Sequence, residues 1–216
     1  RRLKMEALGF VFDLDDTLYP ERDYVRSCFR WIAPRIGGEG VFEELWRRFE
    51  AGERDPIGEV AVARGIREPR KAGLIAEMRA HAPDLALDDG AAALIAALRD
   101  AKRSFSIVTN GRSASQRAKI AALGLGDAAA IIISEEFGAE KPDAALFRAI
   151  EREHPAQRHL FVGDNPAIDF EGPNALGWMT ARLVRGDSVR REAINPRDGM
   201  RAQRVIASLT ELIPLI

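Results

Sequence analysis

The chain lacks several features that would assign it to a specialised class of protein. Cys28 is its only cysteine, so no internal disulfide can form and a reducing compartment is expected. No apolar stretch reaches the roughly 18 residues that a membrane-spanning helix needs. The 32 lysines and arginines nearly balance the 33 aspartates and glutamates, so the charge does not favour nucleic acid or a membrane as partner. These absences predict a cytoplasmic globular protein.

Short apolar runs are present, and they alternate with helical segments. The predicted strands are 8–12, 104–108, 130–133, 159–162 and, more weakly, 178–184. The predicted helices are 91–102, 113–123, 143–153, 166–176 and a closing helix over 201–212. Pro173 should make the helix over 166–176 begin or kink near Gly172. This alternation is typical of an α/β fold with a doubly wound, mainly parallel Rossmann-like sheet.

Residues 21–87 interrupt the alternation. They contain no convincing strand, and amphipathic helical stretches are predicted at about 21–36, 41–52, 57–65 and 70–80. We therefore expect a Rossmann-like core formed by 1–20 and 88–216, with 21–87 inserted as an α-helical cap domain.

Carboxylates directly follow the first strand. Asp13 and Asp15 are two residues apart and so project to the same side of an extended chain. An Asp-rich turn that caps a helix is one interpretation. However, the ends of strands in open α/β sheets are where ligands bind, and buried acids cost several kcal/mol unless a cation or a reaction uses them. The strand before them therefore favours a site for Mg²⁺ and a phosphate ester.

Three later strands also end in polar residues. Thr109 and Asn110 offer a hydroxyl and an amide to phosphate oxygens, and Lys141 offers a compact positive charge. Asp164 suits the oxygen-ligand shell of Mg²⁺, and Asp169 can orient a ligand or Lys141 from behind. Taken alone, each residue is a weak signal, because helix caps and surface residues of these types are common. Their recurrence at four strand ends predicts one shared site.

These residues stand in four motifs that resemble those of the haloacid dehalogenase-like (HAD) hydrolase superfamily. The matching segments are Asp13-Leu-Asp15-Asp-Thr17, Thr109-Asn110-Gly, Lys141-Pro and Gly163-Asp164 followed by Asp169. The resemblance covers essentially the whole chain. The helical insertion between the first and second motifs is typical of the subgroup with a C1-type cap.

The resemblance implies a role for each motif residue. Asp13 would be the nucleophile that forms an aspartyl-phosphate, and Asp15 the general acid and base, with a pKa raised by neighbouring carboxylates and partial burial. Thr109, Asn110 and Lys141 would hold the phosphoryl group. Mg²⁺ would be bound by Asp13, Asp164 and the backbone carbonyl of Asp15, with Thr17 bracing the loop and Asp169 behind the site.

The function that follows is a Mg²⁺-dependent phosphatase acting on a small phosphorylated metabolite, such as a sugar phosphate, a phosphoglycolate-like acid or a nucleotide monophosphate. A phosphosugar mutase on the same core is the alternative. A haloacid dehalogenase is disfavoured because its chemistry needs no acid at position 15. A non-catalytic binding protein is disfavoured because no motif acid is missing.

Substrate choice is expected to lie in the cap. The candidates, chosen for their proximity to the first motif, are Tyr19, Tyr24, Arg26 and Arg30. The arginines near the carboxyl end, Arg182 and Arg185 among them, are interpreted as a solvated surface of mixed charge. We expect a monomer or a homodimer.

Overall fold

The apolar runs form one six-stranded sheet. The computed structural model describes residues 6–186 and 197–216. All the strand pairs are parallel, in the order β3-β2-β1-β4-β5-β6. The strands are β1 (Glu6–Phe12), β2 (Phe105–Thr109), β3 (Ala130–Ile133), β4 (Ala156–Gly163), β5 (Met179–Leu183) and β6 (Arg204–Ile206). This confirms the predicted Rossmann-like α/β fold.

Helices occupy most of the remaining chain. They are α1 (Glu21–Ile36), α2 (Val41–Glu50), α3 (Pro56–Ala63), α4 (Arg70–Ala80), α5 (Asp89–Asp100), α6 (Ser113–Ala122), α7 (Ser134–Phe137), α8 (Ala144–Glu153) and α9 (Glu171–Ala175). None of the described helices is long and apolar enough to cross a membrane.

Both faces of the sheet are buried, because successive side chains of a strand point to opposite faces. In β1, Phe10 and Phe12 join an apolar cluster that includes Leu94 of α5 and Ile120 of α6. Val11 joins a second cluster, which is built largely from α8 and neighbouring strands. Helices on both sides therefore pack against the sheet and hold the strand ends in place.

The helices α1 to α4 lie between β1 and α5 and have an apolar cluster of their own. Phe29 and Ile32 of α1 pack there with Leu45 of α2 and Val60 of α3. Tyr24 packs against this cluster and also against the cluster on the sheet. The predicted helices of 21–87 are all found, and α1 is in contact with the sheet domain at Tyr24.

The predicted closing helix over 201–212 is wrong. Residues 204–206 form β6, which pairs with β5 at the sheet edge. A separate 3₁₀ helix, Leu209–Leu215, begins at Ser208, where Ser208 and Glu211 form a capping box. Pairing with β5 and this cap outweigh the helical pattern of the sequence.

The predicted break near Gly172 is found. The helix α9 is only five residues long and begins at Glu171. Pro173 then lies in its first turn, where backbone N–H groups have no intrahelical acceptor and proline costs little.

Candidate active site

The carboxyl ends of β1, β2 and β4 meet at the centre of the sheet. β1 lies between β2 and β4, at the point where the strand order reverses, and open α/β sheets bind ligands at such a point. Asp13 follows β1 directly, and its N–H donates to the carbonyl of Val162 on β4 (2.8 Å). Thr109 ends β2, and Asp164 follows β4. Strand pairing therefore brings the first, second and fourth motifs together.

Lys141, in the third motif, connects to the first and fourth motifs through its ammonium group. Its Nζ lies 2.6 Å from Asp13 Oδ1 and 2.7 Å from Asp169 Oδ1. Lys141 is 3% exposed and Asp169 is 0% exposed, so the ammonium group relies on these carboxylates in place of water. Asp169 also accepts from the N–H of Asn165 (2.8 Å). Asp169 thus holds the Lys141 ammonium group beside Asp13.

A glycine makes this arrangement possible. A Cβ added at Gly163 would lie 2.4 Å from Oδ2 of Asp169, which is too close for any side chain. The glycine at the end of β4 therefore lets the Asp169 carboxylate approach the strand.

Asn110 is turned toward the Lys141 loop. Its Oδ1 accepts from the backbone N–H of Lys141 (2.8 Å), and its Nδ2 donates to the carbonyl of the same residue (3.2 Å). This paired contact joins the ends of β2 and the third motif, and it fixes the backbone that carries Lys141.

Three carboxylates form a potential cation site. Asp13, Asp164 and Asp169 each offer an oxygen, and these oxygens lie within 4.8 Å of one another. Burial raises the pKa of Asp13 to about 7 against the opposing charge of Lys141, and Asp169 and Asp15 add to the rise. Burial, with Asp13 and Asp169, raises the pKa of Asp164 to about 8. Three carboxyl groups thus face the single ammonium group of Lys141, so their full ionisation needs a further cation, and their oxygen donors fit Mg²⁺.

The Asp15 side chain faces helix α6. Its Oδ1 accepts from the hydroxyl of Tyr19 and from Nζ of Lys119 (2.8 Å), and its Oδ2 accepts from Nε2 of Gln116 (2.9 Å). Burial alone would raise the pKa of Asp15, but the charge of Lys119 and these hydrogen bonds outweigh it and lower the pKa. The predicted upward shift is therefore wrong, because it took account of the neighbouring carboxylates and not of Lys119.

Gln116 also reaches the second motif. Its Nε2 lies 2.6 Å from the hydroxyl oxygen of Thr109 and 3.3 Å from the carbonyl of Asn110. The predicted acid–base residue Asp15 and the predicted phosphate ligand Thr109 are thus connected through one buried amide.

The loop after Asp15 is anchored by its backbone. Arg185, which follows β5, donates to the carbonyls of Asp16 (2.8 Å) and Thr17 (2.9 Å) and pairs with Asp88 just before α5. The Thr17 side chain is fully buried, and its hydroxyl bonds to no residue of the described segments. The carboxylate of Asp16 accepts from the N–H of Glu21, the first residue of α1, and so satisfies a backbone donor that has no partner within the helix.

The predicted specificity residues divide into two pairs. Tyr19 and Tyr24 lie near Asp15: the first bonds to it, and the ring of the second lies 4.1 Å from the Lys119 ammonium. Arg26 pairs with Asp23 and stacks on Trp46. Arg26 and Arg30 line a cleft of about 500 Å³ whose other walls include residues 84–89, and none of the motif residues lines it.

Four residues of the site were not predicted from the sequence: Gln116, Lys119, Arg185 and Arg182. Gln116 and Lys119 share the buried side of α6 with Ile120, and polar residues in the apolar stripe of a helix are a signal that could have identified them. Arg185 was assigned to a solvated surface, and that assignment is wrong because its guanidinium contacts the first-motif loop. Arg182 likewise donates to the carbonyl of Asp164 (3.1 Å).

Comparison with known proteins gives consistent results. A family model described as haloacid dehalogenase-like hydrolase matches residues 8–177. The glyceraldehyde 3-phosphate phosphatase of Methanopyrus kandleri is 27% identical over 217 residues, covering 87% of this chain and 88% of that protein. The ribulose-1,5-bisphosphate 5-phosphatase of Halopiger xanaduensis is 26% identical, covering 81% and 83%. The magnesium-bound crystal structure of the HAD-hydrolase YfnB from Bacillus subtilis has the same fold, with a TM-score of 0.66 at 23% identity and coverage of 98% and 99%.

Proposed function

Because the chain belongs to the haloacid dehalogenase-like hydrolase family, we propose that it is a Mg²⁺-dependent phosphatase that hydrolyses a small phosphomonoester through an aspartyl-phosphate. The observation that carries the proposal is the contact between Asp13 and Lys141 beside Asp164, at the switch point of the sheet. The two phosphatases compared above act, by their names, on phosphorylated sugars. A sugar phosphate is therefore the first substrate class to test.

Asp13 is the proposed nucleophile. One of its oxygens forms a bond to phosphorus while the bond from phosphorus to the ester oxygen breaks, and the leaving alkoxide takes a proton from Asp15. Attack by a carboxylate on a phosphate dianion is opposed by about 4 kcal/mol for unit charges 4 Å apart at an effective dielectric of 20. Lys141, 2.6 Å from Asp13, offsets part of this repulsion.

Asp15 acts in both steps. The ionised form, which Lys119 favours, is the one that removes a proton from water when the aspartyl-phosphate is hydrolysed. For the first step Asp15 needs a proton, and the negative charge of a bound phosphate ester favours its uptake because like charges raise a carboxyl pKa. Hydrolysis then releases inorganic phosphate and restores Asp13.

Asp13 and Asp164, with the backbone carbonyl of Asp15, are the groups that would hold Mg²⁺. When bound, the cation supplies positive charge against the phosphoryl oxygens and lowers the repulsion that Asp13 faces. Asp169 is engaged by Lys141 and by the N–H of Asn165, so we assign it to orientation of Lys141.

We assign residues 21–87 to a cap over this site. The support is their separate apolar cluster and the contact of Tyr24 with Lys119 beside Asp15. Tyr19 and Tyr24 are the proposed specificity residues nearest the chemistry, whereas Arg26 and Arg30 would act only if the cleft they line opens onto the site. A cytoplasmic location and a monomeric or homodimeric state stay predictions of the sequence.

Phosphate release from a panel of phosphomonoesters, with p-nitrophenyl phosphate as reference, tests the function. We expect release that requires Mg²⁺ and is lost in EDTA and in Asp13→Asn. The matched control is Asp100→Asn, which neutralises an exposed carboxylate at the end of α5 and should leave turnover unchanged. Absence of Mg²⁺-dependent release across the whole panel would contradict the proposal.

A further inference from the structure

Lys119 is a buried lysine away from the four motifs. It lies on α6, and the residue is 4% exposed. An ammonium group so far from water is costly unless it is paired and hydrogen-bonded. Its ion pair is with Asp15, at 2.8 Å. The buried charge of Lys119 is thus paired with Asp15, the proposed acid–base residue.

The surroundings of Lys119 restrict the Asp15 carboxylate to one orientation. Oδ1 accepts from Lys119 and Tyr19, and Oδ2 accepts from Gln116, whose amide is held in turn by Thr109. Gln116 and Lys119 are three residues apart and so project from the same side of α6. Each oxygen of Asp15 is therefore held by a side chain of α6, and Tyr19 adds a hydrogen bond from the loop that contains Asp15.

Lys119 also contacts the helical insertion. The ring of Tyr24, on α1, lies 4.1 Å from its Nζ, within the range of a cation–π interaction. The ammonium group is thus held between Asp15 and a residue of the proposed cap.

We propose that Lys119 is a positioning residue for Asp15, which places the Asp15 carboxylate for proton transfer to the leaving group and connects it to helix α1. The inference rests on the proposed phosphatase activity, because it assigns Lys119 a part in that reaction. A positioning role differs from a purely structural role in its effect on rate. Loss of a positioning residue should slow most the reactions that depend most on proton transfer from Asp15.

The dependence of rate on leaving group gives the test. An alkoxide must be protonated as it leaves, whereas p-nitrophenolate leaves readily without a proton. Since kcat/KM reports on steps up to the first bond cleavage, it isolates transfer to Asp13 from the later hydrolysis. The substrates are p-nitrophenyl phosphate and the alkyl phosphate that the wild type hydrolyses fastest in the panel.

For Lys119→Met, which keeps the length of the side chain, kcat/KM for the alkyl ester should fall about 100-fold and that for p-nitrophenyl phosphate by less than about fivefold. Most of the loss should be in kcat, with KM nearly unchanged. Asp15→Asn should show the same preference, and the double variant should lose little more than Asp15→Asn alone, because residues that act as a unit are not additive. Lys119→Arg should recover part of the alkyl-ester activity.

Arg117→Met is the matched control. It removes a positive charge from α6 whose ion pair is with Glu136 rather than Asp15, and both activities should be preserved. If Lys119→Met is folded but loses activity equally on both esters, or loses none, the positioning role is refuted while the phosphatase stands. A wild type that hydrolyses neither ester refutes the proposed function and this inference with it.

Discussion

Replacing Asp13 by asparagine should abolish turnover and yet stabilise the protein at alkaline pH in the absence of Mg²⁺. The ionised carboxylate is buried beside Asp164 and Asp169. Asparagine has nearly the same shape but no charge, so it removes the cost of burying a charge and the repulsion by neighbouring carboxylates, and it leaves the packing intact. A residue kept for chemistry at a cost in stability should show this pair of effects.

The magnitude follows from the pKa of Asp13. The shift from 3.8 to about 7 is about 3 units, and at about 1.4 kcal/mol per unit the ionised form costs about 4 kcal/mol above the neutral one. This shift already includes the attraction of Lys141, so asparagine should raise the unfolding free energy above pH 7 by up to about 4 kcal/mol, or about 8–16 °C in Tm for a chain of this size.

The sign of the pH dependence is fixed by the same shift. The folded pKa lies above the unfolded one, so the stability that a protonated Asp13 contributes is complete below pH about 4 and is lost as the pH rises through about 7. The advantage of Asp13→Asn over the wild type should therefore grow across that interval and level off above it.

The assay is urea or thermal unfolding in EDTA at several pH values, combined with phosphate release in Mg²⁺. We expect kcat to fall by about 10⁴-fold or more, because the proposed nucleophile is gone. Asp100→Asn, an exposed charge change at the end of α5, controls for altered net charge. The reasoning is refuted if Asp13→Asn is less stable than the wild type near pH 8 in EDTA, or if it keeps more than about one per cent of the activity.

Three further predictions concern the cation and the buried ion pairs. Mg²⁺ should raise Tm more near pH 8 than near pH 5.5, because the raised pKa values of Asp13 and Asp164 let protons compete at the lower pH; a thermal-shift series that is flat with pH would contradict this. Lys141→Met should abolish turnover and lower the unfolding free energy by about 3–5 kcal/mol, because it leaves Asp169 buried without its charged partner. The control is Lys71→Met, at an i,i+3 surface pair with Glu68, which should change the unfolding free energy by less than about 0.5 kcal/mol. Equal effects of the two variants in urea unfolding would contradict a stabilising role for the buried ion pairs of Lys141. Arg185→Ala should lower the unfolding free energy by about 2–4 kcal/mol, because it removes hydrogen bonds to the first-motif loop and to Asp88. Arg204→Ala, at an exposed pair with Glu211, is the control, and similar unfolding curves for the two variants would show that Arg185 does not anchor the loop.

Much of the site could be predicted because its signals are local. Asp13, Thr109 and Asp164 each follow an apolar strand, and in a parallel sheet the carboxyl ends of neighbouring strands lie at one edge. Pro173 likewise marked the start of α9 by its own geometry. Such features depend on a few adjacent residues, so a single sequence contains them.

The closing segment shows where local signals were insufficient. Residues 204–206 have no strong strand pattern, and they form β6 because β5 offers an unpaired edge beside them. The same holds for Arg185, whose acceptors are backbone carbonyls of Asp16 and Thr17. A backbone acceptor has no signature in the side-chain sequence.

By itself, the sequence determined the α/β sheet, the helical insertion and the strand ends at which the acids lie, because hydrophobic periodicity and strand boundaries are properties of short segments. Only the tertiary structure decided that Lys141 joins Asp13 to Asp169 and that Lys119 faces Asp15. It thereby also decided that Asp13 and Asp15, two residues apart, have pKa values shifted in opposite directions. The reason is electrostatic: a pKa depends on which charges lie within a few ångströms, and those charges come from distant parts of the chain.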